Sequence, residues 1–195
     1  YHQLETTELV AVCDSQEARL EPVAEQYGCR AYRDLDDLLA DKNVELISVA
    51  TPHKSHAELA IRCMQAGKHV IVEKPLAVEW GEVLAMKKAA SETDAKTCVC
   101  LECRYSSQFL ATKAIIDAGL LGSLHYGEVD YYHGIGPWYG QYRWNTKRSL
   151  GGSALLTAGC HAIDALLLCM NSEVDEVTSY ATQSTNPIFS PYDYR

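Results

Sequence analysis

The 195-residue sequence has no excess of basic charge: 17 Lys and Arg stand against 26 Asp and Glu, a formal net charge of −9. An acidic chain without a basic run is a poor ligand for polyanions, which sets aside nucleic acid and anionic membrane surfaces as partners. Long uninterrupted apolar runs are missing too. The best, Ala165 to Met170, has six residues, against the roughly 18 a membrane span needs. No basic-then-apolar leader opens the sequence and no Asn-x-Ser/Thr acceptor occurs in it, so nothing points to secretion. The turn G-x-G-x-x-G is also absent; Gly134 and Gly136 imitate its first half, but Pro137 follows them and no strand-to-helix turn surrounds them.

What is present is an ordinary globular composition, 47% hydrophobic and 22% charged, unlike that of a disordered chain. Eight cysteines are spread along it. A chain this long needs no disulfide framework, and the reading is reduced thiols in a cytoplasmic protein. Cys98, Cys100 and Cys103 form C-x-C-x-x-C, but no Cys or His sits at finger spacing from them. They read as buried thiols, and no metal is expected.

Hydrophobic patterning divides the chain near Arg104. Before it, short apolar runs at Glu8–Cys13, Val44–Ala50, His69–Val72 and Lys96–Glu102 alternate with helix-forming stretches at Ser15–Tyr27, Ser55–Ala66 and Glu79–Thr93; Asp34 opens a shorter one. That rhythm predicts a doubly wound α/β unit with a parallel sheet. After it come a helix at Ser107–Ala118, a long strand pattern at Leu124–Tyr132, an aromatic, Gly-rich loop, a long apolar helix at Gly151–Met170 and a strand pattern at Glu176–Gln183. This half reads as a partial α+β open-sheet domain. The expected domains are 1–103 and 104–195. Both ends look cut, since two strands cannot bury a sheet face and the first strand reads as the second of a nucleotide-binding unit. The expectation is an interior piece lacking the first strand and Gly-rich loop, and hence a poor cofactor binder by itself.

Four groups carry chemistry. Asp14 ends a strand, where an Asp either caps the following helix or accepts hydrogen bonds from ribose hydroxyls. Thr51-Pro52-His53, with His56 one turn on, closes another strand at the edge where open α/β sheets bind ligands; a plain helix start has the same residues. Glu73-Lys74-Pro75 ends a buried strand, and Lys74 there can donate to a substrate hydroxyl or simply be solvated. On a helix over 151–170, Thr157, His161 and Asp164 share a face. His161 is then a candidate acid–base with Asp164 to orient it, or a satisfied core histidine. In the loop after Tyr131, the rings of Trp138, Tyr142 and Trp144 suit stacking on sugars, or an aromatic lid or subunit contact.

AVCD ending at Asp14, ISVATPHKSH (Ile47–His56), AGKHVIVEKP (Ala66–Pro75), the pair Arg104-Tyr105 and GGSALLTAGCHAID (Gly151–Asp164) resemble, in order and spacing, the Gfo/Idh/MocA oxidoreductases. The resemblance implies a Rossmann-type NAD(P)-binding domain and a sheet domain that shapes the substrate pocket, in a homodimer or homotetramer. It places Asp14 on the adenosine ribose, and Thr51, Pro52, His56, Glu73, Lys74 and Pro75 along the cofactor, with a bond before Pro75 that is often cis. Lys74 and His161 manage the proton, while Arg104, Tyr105, Trp138, Tyr142 and Trp144 are the expected substrate contacts. The implied reaction is hydride transfer between nicotinamide and a carbinol carbon of a sugar or polyol, with NAD favoured by Asp14 and NADP possible. Relatives that hydrolyse or eliminate without net redox, or that only sense cofactor, are the alternatives. One departure stands out: the family often carries Asp where this chain has Thr157, so either Asp164 takes over or the chemistry differs.

Overall fold

The computed structural model describes residues 3–133, 136–181 and 185–187. Its first half is a run of parallel strands and crossover helices. The strands are β1 (Ala11–Cys13), β2 (Arg30–Tyr32), β3 (Leu46–Val49), β4 (His69–Glu73) and β5 (Thr97–Cys100). Between them lie α1 (Glu17–Tyr27), α2 (Leu35–Ala40), α3 (His56–Gln65) and α4 (Trp80–Ser91). Two sheets form, β1-β2 and β3-β4-β5, parallel throughout. Val49 pairs with Val72, and Glu73 pairs with Cys100. The loops that leave β3, β4 and β5 therefore start from one edge.

Local rules explain these elements. Alternate residues of β4, Val70 and Val72, are buried, as the period of a strand requires. Helix α3 buries Ala57, Ala60, Cys63 and Met64, a stripe at helical spacing that packs on the sheet. Asp34 caps α2 by accepting from the Asp36 N–H at 2.7 Å, and Glu79 with Glu82 forms a capping box on α4. Gly28 ends α1 at φ +63°, a left-handed cap that costs glycine little. Leu38, Val44, Ile47 and Met86 complete one core around β3 and β4.

After β5 the chain makes a short 3₁₀ turn at Glu102–Tyr105, then α5 (Ser107–Asp117), α6 (Tyr142–Asn145), α7 (Arg148–Gly151), a π turn at Leu155–Gly159 and α8 (Cys160–Met170). The strand patterns expected at Leu124–Tyr132 and Glu176–Gln183 form no strand over 124–132 and 176–181; Thr182 and Gln183 lie outside the described residues, as do Gly134 and Pro191–Arg195. A strand is defined by its ladder, and among the described residues nothing pairs with either segment. Strand β2 was not expected, since Arg30-Ala31-Tyr32 has no apolar run to announce it. The expected helix at Gly151–Met170 is interrupted: Gly152 has φ +82°, and the π turn adds one residue to the turn that follows. Taken whole, Arg148–Met170 is long and apolar enough to cross a membrane by length and composition, a property that counting uninterrupted apolar residues does not reveal. Here it carries His161 and Asp164, both engaged by polar groups from the turn after β5.

Candidate active site

Three loops leaving one sheet edge each reach the segment 151–164. The loop after β3 sends His53, whose Nδ1 lies 3.0 Å from the Gly151 carbonyl oxygen. The loop after β4 sends Lys74, whose Nζ donates to the Thr157 carbonyl at 2.9 Å. The turn after β5 sends Arg104, whose Nε donates to Asp164 Oδ2 at 2.8 Å while its terminal nitrogen binds Oδ1. The same turn sets Glu102 Oε1 3.4 Å from His161 Nε2. These four contacts converge on one place, and they join residues 59 to 98 positions apart.

Within it, His161 is 6% exposed, and among the described residues its Nδ1 has no hydrogen-bond partner. Burying an unpaired ring nitrogen is costly, so the group calls for an explanation, a catalytic role or a bound ion among them. Rings lead away from it: Tyr131 lies over His161 with centroids 6.2 Å apart, His133 stacks on Tyr131 at 5.9 Å, and Tyr139 meets His133 edge-on at 5.7 Å. Burial pushes the Cys103 thiol pKa up, and the carboxylates of Glu102 and Asp164 push it further.

Several expected residues take other roles. His56 is fully buried, with Nδ1 and Nε2 each 2.8 Å from a carbonyl oxygen, those of Pro75 and Thr51. The ring thus lies between the loop after β3 and the turn after β4 and ties the two together. Asp164 is held by Arg104 and does not orient His161, and the same pair occupies the Arg104 guanidinium. Thr157 is 1% exposed, with its hydroxyl turned toward the Gly151 carbonyl; it serves Lys74 through its backbone oxygen. Trp144 packs edge-on against His53 at 4.6 Å and is a wall rather than a free stacking face. Cys98, expected to be buried, is exposed.

The rest keep positions compatible with the expectation. Asp14 follows β1 and accepts from the Gln16 N–H at 2.8 Å. Thr51 and Pro52 are exposed, and Thr51 Oγ1 accepts from Ser55. Glu73 Oε2 accepts from the Lys74 N–H at 3.2 Å, and the Lys74–Pro75 peptide is cis. Tyr105 and Trp138 are exposed, and Trp138 lines a depression with Tyr142 and Arg19 of α1. Glu102 and Cys103 belong to the site although sequence reasoning gave them no role in it, while His53 and Tyr131 stood there only as members of the Thr51-Pro52-His53 motif and the aromatic loop. The acidic residue beside Arg104 was the one available signal.

Comparison with known proteins matches residues 1–101 to a family described as "Oxidoreductase family, NAD-binding Rossmann fold" and residues 109–193 to the "GFO/IDH/MocA C-terminal domain". The inositol 2-dehydrogenase of Rhizobium meliloti is 35% identical over 60% of this chain and 35% of its own length. The scyllo-inositol 2-dehydrogenase (NADP(+)) of Bacillus subtilis is 34% identical over 69% of this chain and 37% of its own. The WlbA dehydrogenase of Bordetella pertussis, solved in complex with NADH and UDP-GlcNAcA, superposes with a TM-score of 0.74 at 29% identity, over 83% of this chain and 50% of that one. The chain thus spans between about a third and a half of the length of these relatives.

Proposed function

This chain belongs to the Gfo/Idh/MocA family of NAD-binding oxidoreductases, and from that membership we propose that the protein interconverts a carbinol and a ketone in a sugar or polyol, with NAD or NADP as hydride partner. The observation that carries the reading is the convergence of three loops of one sheet edge on residues 151–164, where Lys74 reaches the Thr157 carbonyl and Glu102 reaches His161 one helical turn further on. The side chains present suit the two ends of a dinucleotide. A carboxylate after β1, Asp14, matches a ribose diol, and Lys74 with Glu73 after β4 matches the nicotinamide end. When bound, the nicotinamide supplies the hydride acceptor.

The protein's own residues handle the oxygen and its proton. Lys74 moves its ammonium from the Thr157 carbonyl to the reacting oxygen, which holds that oxygen and favours negative charge on it. His161 takes the hydroxyl proton at Nδ1, the ring nitrogen without a partner among the described residues. The imidazolium then faces Glu102 across Nε2, so Glu102 fills the place the family's Asp leaves vacant at Thr157. Rings at Trp138 and Tyr142 offer the substrate apolar faces. We place the division between the cofactor and substrate units at 103/104. The eight free thiols support a cytoplasmic setting.

Lys74→Ala tests this. Turnover of polyols, followed as NADH absorbance, is expected to fall by about 10²–10⁴-fold, with nucleotide affinity within a few-fold of the parent. Undiminished turnover overturns the role of Lys74. Substrate consumed without net NADH overturns the dehydrogenase reading in favour of hydrolysis or elimination.

A further inference from the structure

We propose that Glu102, Cys103 and His161 form a binding site for a thiophilic divalent cation, with zinc the best fit. Sequence spacing gave no hint of it, because the two adjacent ligands lie in the turn after β5 and the third lies in the first turn of α8. The fold brings a carboxylate oxygen, a thiol sulfur and a ring nitrogen within 4.8 Å of one another, and Glu102 Oε1 is 3.4 Å from His161 Nε2. Metal–ligand distances of about 2.0–2.3 Å in a tetrahedron put ligand atoms roughly 3.3–3.8 Å apart. The carboxylate oxygen and ring nitrogen already stand at that separation, and a small inward movement of the side chains completes the geometry.

Three further features favour the site. The Arg104–Asp164 pair joins the same turn to the same helix beside the trio, so the two elements are braced before any ion arrives. His161 is buried, whereas the Glu102 side chain is 60% exposed, which leaves a solvent approach and a fourth position for water. A thiolate, an imidazole and a carboxylate are all ligands zinc accepts, and the thiolate discriminates against magnesium and calcium. Binding releases the Cys103 proton to solvent as the sulfur–metal bond forms. The Lys74 ammonium opposes the ion, and the charges of Glu102 and the Cys103 thiolate offset it.

Cation binding stands on this geometry alone. Its consequence for turnover rests on the proton role proposed above for His161, whose ring an ion would occupy. The test uses the whole protein, stripped with chelator and titrated with Co²⁺. One equivalent is expected to give a near-ultraviolet thiolate-to-cobalt band together with tetrahedral bands in the visible. Cys103→Ser loses the near-ultraviolet band, while Cys98→Ser, outside the trio, keeps it; circular dichroism verifies that both variants are folded. Absence of the band in the parent, or its persistence in Cys103→Ser, overturns the site and leaves the dehydrogenase reading untouched. A band with turnover unaffected by cobalt leaves the site standing and overturns the proton role of His161.

Discussion

His53 shows how a single buried residue ties stability to pH. It is 3% exposed, with Nδ1 on the Gly151 carbonyl. Burial, with smaller contributions from His56 and Lys74, lowers its pKa from 6.5 to about 4, although the carbonyl bond pulls the other way. The unfolded chain therefore takes up a proton between pH 6.5 and 4 that the folded chain refuses, and stability drains away as pH falls through that window. Urea midpoints should drop from pH 7 to pH 5, and His53→Gln should flatten that limb; an equal slope in the variant would assign the effect elsewhere. At this scale the sequence was legible for position: Lys74 and His161, picked out by residue type and spacing, both stand at the segment 151–164. It was illegible where a side chain could choose between partners. Helical spacing put Asp164 beside His161, but Arg104, 60 positions upstream, holds it. The motif around Thr51 marked His56, but not that its ring ties two loops together.

Among the elements, the stretch from α7 to α8 controls the site. An ideal helix there would place every residue by 100° steps. Instead the positive φ of Gly152 and the π turn at Leu155–Gly159 set the Thr157 carbonyl toward Lys74. Gly151 is the tight point. A Cβ on it would lie 2.8 Å from the backbone Cα and carbonyl oxygen of Asn145, atoms that cannot rotate away. Gly151→Ala should cost about 1–3 kcal/mol, read as a lower melting temperature, and should displace the carbonyl that His53 and Thr157 both use. An unchanged melting temperature would show that α6 yields. Apolar runs bounded by Gly and Pro revealed β3, β4, β5 and their helices in sequence. They misled at 124–132, where the residues alternate as in a strand but, among the described residues, no neighbour supplies the ladder.

For the whole molecule, the exposed area is 13512 Å², against about 9,200 Å² for a compact monomer of this mass. The excess is visible in the second half: α5 has no buried residue, and Leu120, Tyr126, Val177 and Tyr180 are exposed. Limited trypsin digestion should cut first at Lys113, Lys147 and Arg148 and leave a resistant product ending near residue 104, the proposed boundary. Early cuts at Lys87 or Lys88 in α4 would contradict it. The contact between Lys74 and Thr157 also has a history in time. A ribosome adding ~5–20 residues per second takes roughly 4–17 s to travel from one to the other. The five strands among the described residues and the helices between them have been synthesised by then, so the nascent sheet waits with its lysine unpartnered until residues 151–164 follow.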